Sequence, residues 1–429
     1  MNLSKKKVCI VGLGYVGFPL LCAIAKNGQY TTCGFDISQK QIGLIQKGVP
    51  PIDDKQAAED MQTVQFEVST DPAIMQDSDF FVVCVPTPVN DDHLPDLSPV
   101  KSAIIALSPY VENGSTIILE STVNPGVSEE IVIPLLEEKT GMKVKINFHV
   151  AHCPERINPG DKKWNVYNIP RNIGATTKEA CKMVADFYRS FLSADINEMT
   201  SLKVAEATKI IENTFRDINI AYVNELAKSF SVLGIDLLEV MSGASNKPFA
   251  FMPHFPGCGV GGHCIPVDPY YLIERAQKSG FEHQFLKLAR EINNSMPAYT
   301  ISQLKDALSS TGNSIDNSKI GVLGIAYKGN VADKRESPAL KIIKLLQGYK
   351  AELFVFDPYF PEESNVNSIK DLLEKVDAVI IATEHEEFKQ ITPQNYANTG
   401  IKVVIDGKNI YHSVDFSQTE IILKGIGYG

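Results

Sequence analysis

The sequence predicts an α/β protein with a parallel-sheet, nucleotide-fold unit at each end of the chain and a mostly helical stretch between them. Three features point there. Short apolar runs alternate with amphipathic stretches through the first third, a long uninterrupted helical pattern follows, and from Ile320 the first rhythm returns. Apolar runs separated by helical segments are expected of a parallel sheet covered by helices on both faces.

In the first third the strand-like runs are residues 8–13, 32–36, 80–85, 116–119 and 148–151. Residues 201–233 then carry Val204, Ile211, Phe215, Ile218, Tyr222 and Leu226 at steps of three, four or seven, with no Gly or Pro before Gly234. A helix of that length runs roughly 45 Å at about 1.5 Å per residue, enough to bridge two domains or build a subunit interface. Four more buried strands are expected at 320–325, 352–357, 378–382 and 403–406. The expected division is a nucleotide-binding domain over 1–200, a central helical domain over 201–300 and a second nucleotide-fold domain over 315–429.

Composition narrows the function. A chain of 429 residues suggests roughly three units of about 150. With 41 Lys and Arg against 51 Asp and Glu, the net charge is −10, which argues against nonspecific binding to nucleic acid or to an anionic membrane. Hydrophobic residues at 44% and charged residues at 21% are ordinary globular usage. No apolar run approaches the roughly 20 residues that would span a bilayer. The polar start, leading straight into a strand, leaves no room for a signal peptide, so a cytoplasmic protein is expected. Eight scattered cysteines without a CxxC pair are no disulfide framework, and Cys9, Cys33 and Cys84 read as small buried hydrophobes.

Gly12-Leu13-Gly14-Tyr15-Val16-Gly17 follows the first strand and opens a helical pattern, and Asp36 ends the next strand, 22 residues after Gly14. Glycines there permit a tight turn and close approach to a pyrophosphate, while the acid accepts bonds from ribose hydroxyls; together they form the Rossmann fingerprint. Asp36 would repel a 2′-phosphate, so NAD is favoured over NADP, with Lys40 as a counter-indication. Thr87 in VPTP and Thr122 in ESTV come directly after strands, where hydroxyls can meet a cofactor or a water; the alternative is an ordinary loop or cap threonine. Glu155, in Cys153-Pro154-Glu155-Arg156, is a candidate base or hydroxyl ligand, or else a carboxylate paired with Arg156 or capping a helix.

On the long helix Lys209 and Asn213 share a face that Glu206 and Asp217 extend. A partly desolvated lysine beside an amide suits a developing alkoxide; a solvated charged stripe is the alternative. The densest motif runs from Phe255 to Asp268, with four glycines in the six residues before His263 and then Cys264. Missing side chains let a ligand approach the backbone, and Cys264 would meet the N-terminus of a following helix, which favours the thiolate. Asp268, four residues on, can orient a water or the lysine. Zinc on Cys258, His263 and Cys264 is the rival reading, but the spacing matches no usual ligand pattern. In the last domain Lys328 and Arg335 can neutralise phosphates; their loop, starting at Gly324, is not GxGxxG, so a second nucleotide would dock differently from the first.

Taken together, GLGYVG, VPTP, ESTV, PER, Lys209 with Asn213, GGHCIPVDP and AYKGN…DKRESPA closely resemble the UDP-glucose/GDP-mannose dehydrogenase family, from Val8 through at least Asp406. The resemblance implies four-electron oxidation of a nucleotide sugar's C6 alcohol to a carboxylate, two NAD per turnover, no metal, and a dimer or larger assembly. It implies Cys264 as nucleophile through a thiohemiacetal and a thioester, Lys209 and Asn213 holding the oxygen, and Thr122, Glu155 and Asp268 organising the hydrolytic water. It places cofactor contacts at Val11, Gly12, Gly14, Tyr15, Val16, Gly17, Asp36, Lys40, Thr87, Thr122 and Arg335. Substrate contacts fall at Glu155, Arg156, Lys209, Asn213, the 253–257 stretch with His254, Phe255 and Gly257, Gly261 and Lys328. Where the UDP-glucose enzymes carry a second glutamate this chain has Pro159. PERINPGD looks instead like the branch acting on UDP-N-acetylhexosamines, gluco or galacto, which supplies uronic acids for bacterial capsule or O-antigen chains. UDP-glucose and GDP-mannose versions are the near alternatives. A two-electron hydroxy-acid dehydrogenase and an inactive nucleotide-binding protein are the distant ones.

Overall fold

The structure is a computed structural model and describes residues 5–52, 54–90, 95–157, 163–412, 414 and 416–429. The chain divides into two units, Met1–Glu212 with Tyr270–Gly280, and Asn213–Pro269 with Phe281–Gly429. Pro159, on which the N-acetylhexosamine branch reading turns, lies outside the described residues.

The first unit is built on β1 (Lys7–Val11), β2 (Thr31–Phe35), β3 (Glu67–Ser69), β4 (Phe80–Val83), β5 (Thr116–Leu119), β6 (His149–His152), β7 (Arg171–Ala175) and β8 (Ile196–Glu198). They form one sheet in the order β3-β2-β1-β4-β5-β6-β7-β8, parallel throughout except where β7 runs antiparallel to β6. Alternate side chains feed two cores: Val8, Ile10, Phe80 and Val82 on one face, Cys9, Val11, Phe81 and Val83 on the other. Burial on both faces is why these strands read as unbroken apolar runs. Cys9, Cys33 and Cys84 are all buried, as expected. The helix Gly17–Asn27 leaves the β1 loop and ends at Gly28, whose φ of +71° suits a glycine.

The second unit has β9 (Lys319–Leu323), β10 (Glu352–Phe356), β11 (Ala378–Ile381), β12 (Val403–Asp406) and β13 (Ile422–Gly425), all parallel, in the order β10-β9-β11-β12-β13. Its two core faces repeat the same alternation, Ile320, Val322, Ile380 and Ile405 against Leu323, Val379, Ile381 and Val404.

The long helix spans Leu202–Leu233, 32 residues, and stops at Gly234 with φ +68°. Its buried and exposed faces correct the expectation of a solvated charged stripe. Glu206, Asn213, Asp217 and Asn224 are buried, while Val204, Ile211, Phe215 and Tyr222 are 39%, 58%, 45% and 57% exposed. The polar line is tolerated inside because its members are hydrogen-bonded. Glu206 accepts the Gly126 and Ser128 N–H groups at 2.5 and 2.9 Å, Asp217 takes Arg290 at 2.5 Å, and Asn224 donates to Asn293 at 2.9 Å. Among the described residues no helix is long and apolar enough to cross a membrane.

Candidate functional site

The glycine loop after β1 is shaped by its glycines. Gly12 has φ +96°, and a Cβ there would lie 3.0 Å from the Cys84 carbonyl oxygen; one at Gly17 would lie 1.9 Å from the Gly12 oxygen. A Cβ on Gly14 would meet nothing within 4 Å, so the space above the loop is open. Val16 at the helix N-cap offers no side-chain bond to the first turn. An open cradle before an uncapped helix N-terminus fits a pyrophosphate. Asp36 accepts the Leu13 N–H at 2.7 Å and the Ser38 N–H at 2.8 Å, which ties the loop to the end of β2 and leaves lone pairs for ribose hydroxyls. Around it Val11 is buried, Tyr15 is half exposed, and Lys40 lies exposed in the first turn of the helix Gln39–Gln46. Thr87 is buried, with its carbonyl accepting the Tyr271 hydroxyl, and Thr122 is half-buried just past β5. These residues would hold a dinucleotide at the carboxyl ends of β1, β2, β4 and β5.

Glu155 sits in a buried charge network that its sequence neighbours do not announce. Its Oε1 accepts the Arg156 and Ile157 N–H groups at 2.5 and 2.6 Å, and its Oε2 pairs with Arg171 at 3.1 Å. Arg171, with no exposed surface, also holds Glu120 at 3.0 Å, and the Tyr188 hydroxyl donates to Glu120 at 2.5 Å. Arg156 is engaged elsewhere, on Glu212 at 2.7 Å and on the Pro170 carbonyl at 2.8 Å. The partner of Glu155 is therefore Arg171, not the adjacent Arg156. One guanidinium cannot neutralise two carboxylates here: burial, with the Glu155 charge adding, pushes the Glu120 carboxyl up to about 7 against the pull of Arg171. Lys209 is half-buried, one turn before Asn213 on the long helix.

In the second unit, Cys264 is exposed and the chain's other seven cysteines are buried. Its carbonyl accepts the Val267 and Asp268 N–H groups at 3.1 and 2.9 Å, so it sits in the turn that opens the helix Asp268–Lys278. Asn213 Nδ2 donates to Asp268 Oδ2 at 2.6 Å; both side chains are buried. Upstream, the Gly257 N–H donates to Asn224 at 3.0 Å, Asn409 holds the Pro256 carbonyl at 3.0 Å, and the Cys258 N–H donates to the Gly407 carbonyl at 2.9 Å. The Cys258 thiol turns inward to the Ala382 carbonyl. His254 packs edge-on against Phe215 with centroids 5.9 Å apart, and Phe255 is exposed. Gly261 and Gly262 lie on Tyr327, where a Cβ would come within 2.6 and 2.9 Å of that side chain. Lys328 is half-buried on the loop after β9; Arg335 is fixed to Asp333 at 2.6 Å and its carbonyl accepts the Gly262 N–H at 2.9 Å. The second unit thus brings together Asn213, Asp268 and Cys264, and backs Gly261 with the Lys328 loop.

With an open dinucleotide cradle on one sheet and an exposed cysteine loop backed by another, the chain has the parts of a nucleotide-sugar dehydrogenase. It belongs to the UDP-glucose/GDP-mannose dehydrogenase family, matching its NAD binding domain over residues 6–192, its central domain over 203–295 and its UDP binding domain over 321–413. It is 36% identical over 400 residues to the UDP-N-acetyl-D-glucosamine 6-dehydrogenase of Pseudomonas aeruginosa, covering 92% of this chain and 94% of that one. It is 36% identical over 429 residues to the UDP-N-acetyl-D-mannosamine dehydrogenase of Pyrococcus horikoshii, covering 99% of each. The solved structure of UDP-D-ManNAc dehydrogenase from the same organism superposes with a TM-score of 0.91 at 34% identity, over 98% of this chain and 99% of that one.

Proposed function

We propose that this chain oxidises the C6 alcohol of a UDP-N-acetylhexosamine to the carboxylate, with Cys264 holding the carbon between the two oxidations. NAD on the Gly12–Gly17 loop supplies the acceptor for each of the two hydrides that C6 loses. The observation that carries the reading is local: the exposed cysteine lies one turn before Asp268, and Asp268 holds Asn213 at 2.6 Å. Lys209 and Asn213 stabilise the oxygen as it passes from alcohol to aldehyde. The Cys264 sulfur bonds to the aldehyde carbon, giving a thiohemiacetal that cannot diffuse away, and loss of its hydrogen as hydride leaves a thioester. Water then replaces sulfur and frees the thiol, with Thr122, Glu155 and Asp268 orienting it. Lys328 and the 253–257 stretch take the UDP end, and Arg335 assists at the cofactor. No metal enters the scheme.

The gluco epimer is supported by the Pseudomonas relative. A second reading, the manno epimer, was not foreseen from the sequence and is favoured by the full-length match to the Pyrococcus protein. NADH formation with UDP-N-acetylglucosamine, UDP-N-acetylgalactosamine, UDP-N-acetylmannosamine and UDP-glucose tests the proposal. The fastest should be one of the three N-acetyl sugars; UDP-glucose outrunning all of them would overturn it. The product, a uronic acid nucleotide made in the cytoplasm, suits surface polysaccharide synthesis. The exposed stripe of Val204, Ile211, Phe215 and Tyr222 is assigned to a homodimer contact. Sedimentation of a Phe215→Glu, Tyr222→Glu variant should show monomers, and an unchanged mass would remove that contact.

A further inference from the structure

Four consecutive residues just past β11, Thr383-Glu384-His385-Glu386, are each bonded to the loop that carries Lys328. Thr383 Oγ1 donates to the Ala326 carbonyl at 2.6 Å, and the Gly329 N–H donates to Glu384 Oε1 at 3.1 Å. The Asn330 N–H donates to His385 Nδ1 at 2.9 Å, and the Glu386 N–H donates to Asn330 Oδ1 at 3.1 Å. Since Nδ1 accepts, the ring proton sits on Nε2, which faces Asp357 Oδ2 at 3.1 Å. That same oxygen accepts the Ile325 and Ala326 N–H groups at 2.6 and 2.9 Å. Asp357 therefore pins the front of the loop, His385 pins its back, and the two are bonded to each other. Both are buried, and Tyr359 stacks on the His385 ring at 5.0 Å and 17°.

Two further observations make this more than packing. Asn330 has φ +61°, a left-handed conformation that asparagine adopts more readily than most side-chain-bearing residues, and its backbone and side chain are both held by this segment. Asp357 also occupies at the end of β10 the place that Asp36 occupies at the end of β2. The Gly324 N–H donates to the Phe356 carbonyl at 2.8 Å as the Gly12 N–H does to Phe35 at 2.8 Å. Asp36 is partly open to solvent, whereas Asp357 is sealed by His385. In the second unit the acid serves the loop instead of a ribose. The loop so fixed presents Lys328 and lays Tyr327 against Gly261 and Gly262, just before Cys264.

We propose that His385, oriented by Asp357, is a positioning residue that sets the Lys328 loop for the uridine nucleotide. The inference rests on the proposed function only in giving Lys328 a UDP ligand. It is tested on the full chain by calorimetric titration with UDP and by steady-state kinetics with the best UDP-sugar. His385→Phe keeps the ring and removes both hydrogen bonds; it should weaken UDP about tenfold, the equivalent of one such bond. KM for NAD should stay unchanged. In a Lys328→Ala background the same change should add less than about twofold, since both act through one contact. His385→Gln, which keeps an acceptor and a donor, should recover part of the loss and carries the test if the phenylalanine variant does not fold. UDP affinity unchanged in the variants, a matching rise in KM for NAD, or full multiplication of the two losses would each overturn the inference. Absence of UDP binding by the unaltered chain would overturn the functional reading beneath it.

Discussion

Arg171→Met probes the network around Glu155. Arg171 is fully buried, pairs with Glu120 at 3.0 Å and Glu155 at 3.1 Å, and lies 5.6 Å from the Tyr188 ring centre. Methionine fills much of the volume but leaves two carboxyls with no cation. Burial pushes the Glu120 carboxyl up to about 7 even with Arg171 present, and the variant loses the guanidinium that offsets it. Breaking a buried pair from one side costs about 3–5 kcal/mol. At about 2–4 °C per kcal/mol for a unit of this size, the unfolding midpoint should fall by roughly 6–20 °C. Trp164 is the chain's single tryptophan and belongs to the first unit, so its fluorescence reports that unit's unfolding. Adding Glu120→Gln and Glu155→Gln to Arg171→Met should restore most of the midpoint, because the stranded charges are then gone. A midpoint for Arg171→Met within about 1 °C of the unaltered chain would refute the reasoning.

Further predictions concern pH and the site. Burial raises the Glu120 carboxyl to about 7, above the ordinary glutamate value of 4.5, so the folded state holds that proton more tightly. The resulting stabilisation, on the order of 3 kcal/mol, is complete below about pH 4.5 and lost as pH rises through about 7. Glu120→Gln should flatten that part of the stability profile, followed by Trp164 fluorescence; an unchanged profile would place the titration elsewhere. Asp36→Ala should raise KM for NAD far more than that for the UDP-sugar, and equal effects would mean that Asp36 only braces the loop. Lys209→Ala should lower kcat by about 10²-fold or more if it acts as an oxyanion donor; an unchanged kcat would leave it a structural lysine of the long helix.

The sheets were legible where burial is two-sided. The runs at 8–13, 80–85, 320–325 and 403–406 overlap β1, β4, β9 and β12, because a strand covered on both faces is apolar at successive positions. The strands missed in the first unit were β3, β7 and β8. β3 and β8 have three residues each, and β7, Arg171-Asn172-Ile173-Gly174-Ala175, opens on a charged residue whose partners are distant in sequence. The long helix was located to within one residue, and the periodic line with Ile211, Phe215 and Tyr222 is exposed; the pattern did not show that Glu206, Asn213 and Asp217 are buried. Asp217 goes inside because Arg290 meets it, and no local pattern announces a partner 73 residues away. For the same reason Glu155 was weighed against Arg156 when Arg171 is its partner. The glycine loop, Asp36 and the Cys264 motif were visible because backbone geometry and thiol chemistry restrict residue choice within a few positions.

The central claim, two oxidations of one carbon with the second made on the Cys264 adduct, is tested most directly by counting NADH formed per UDP-sugar consumed, with the product weighed by mass spectrometry, for the unaltered chain and for Cys264→Ser. The unaltered chain should give two NADH per sugar and a product 14 Da heavier, as expected when CH2OH becomes COOH, and the variant should release no acid. One NADH per sugar from the unaltered chain, or a carboxylate product from Cys264→Ser at an undiminished rate, would contradict it.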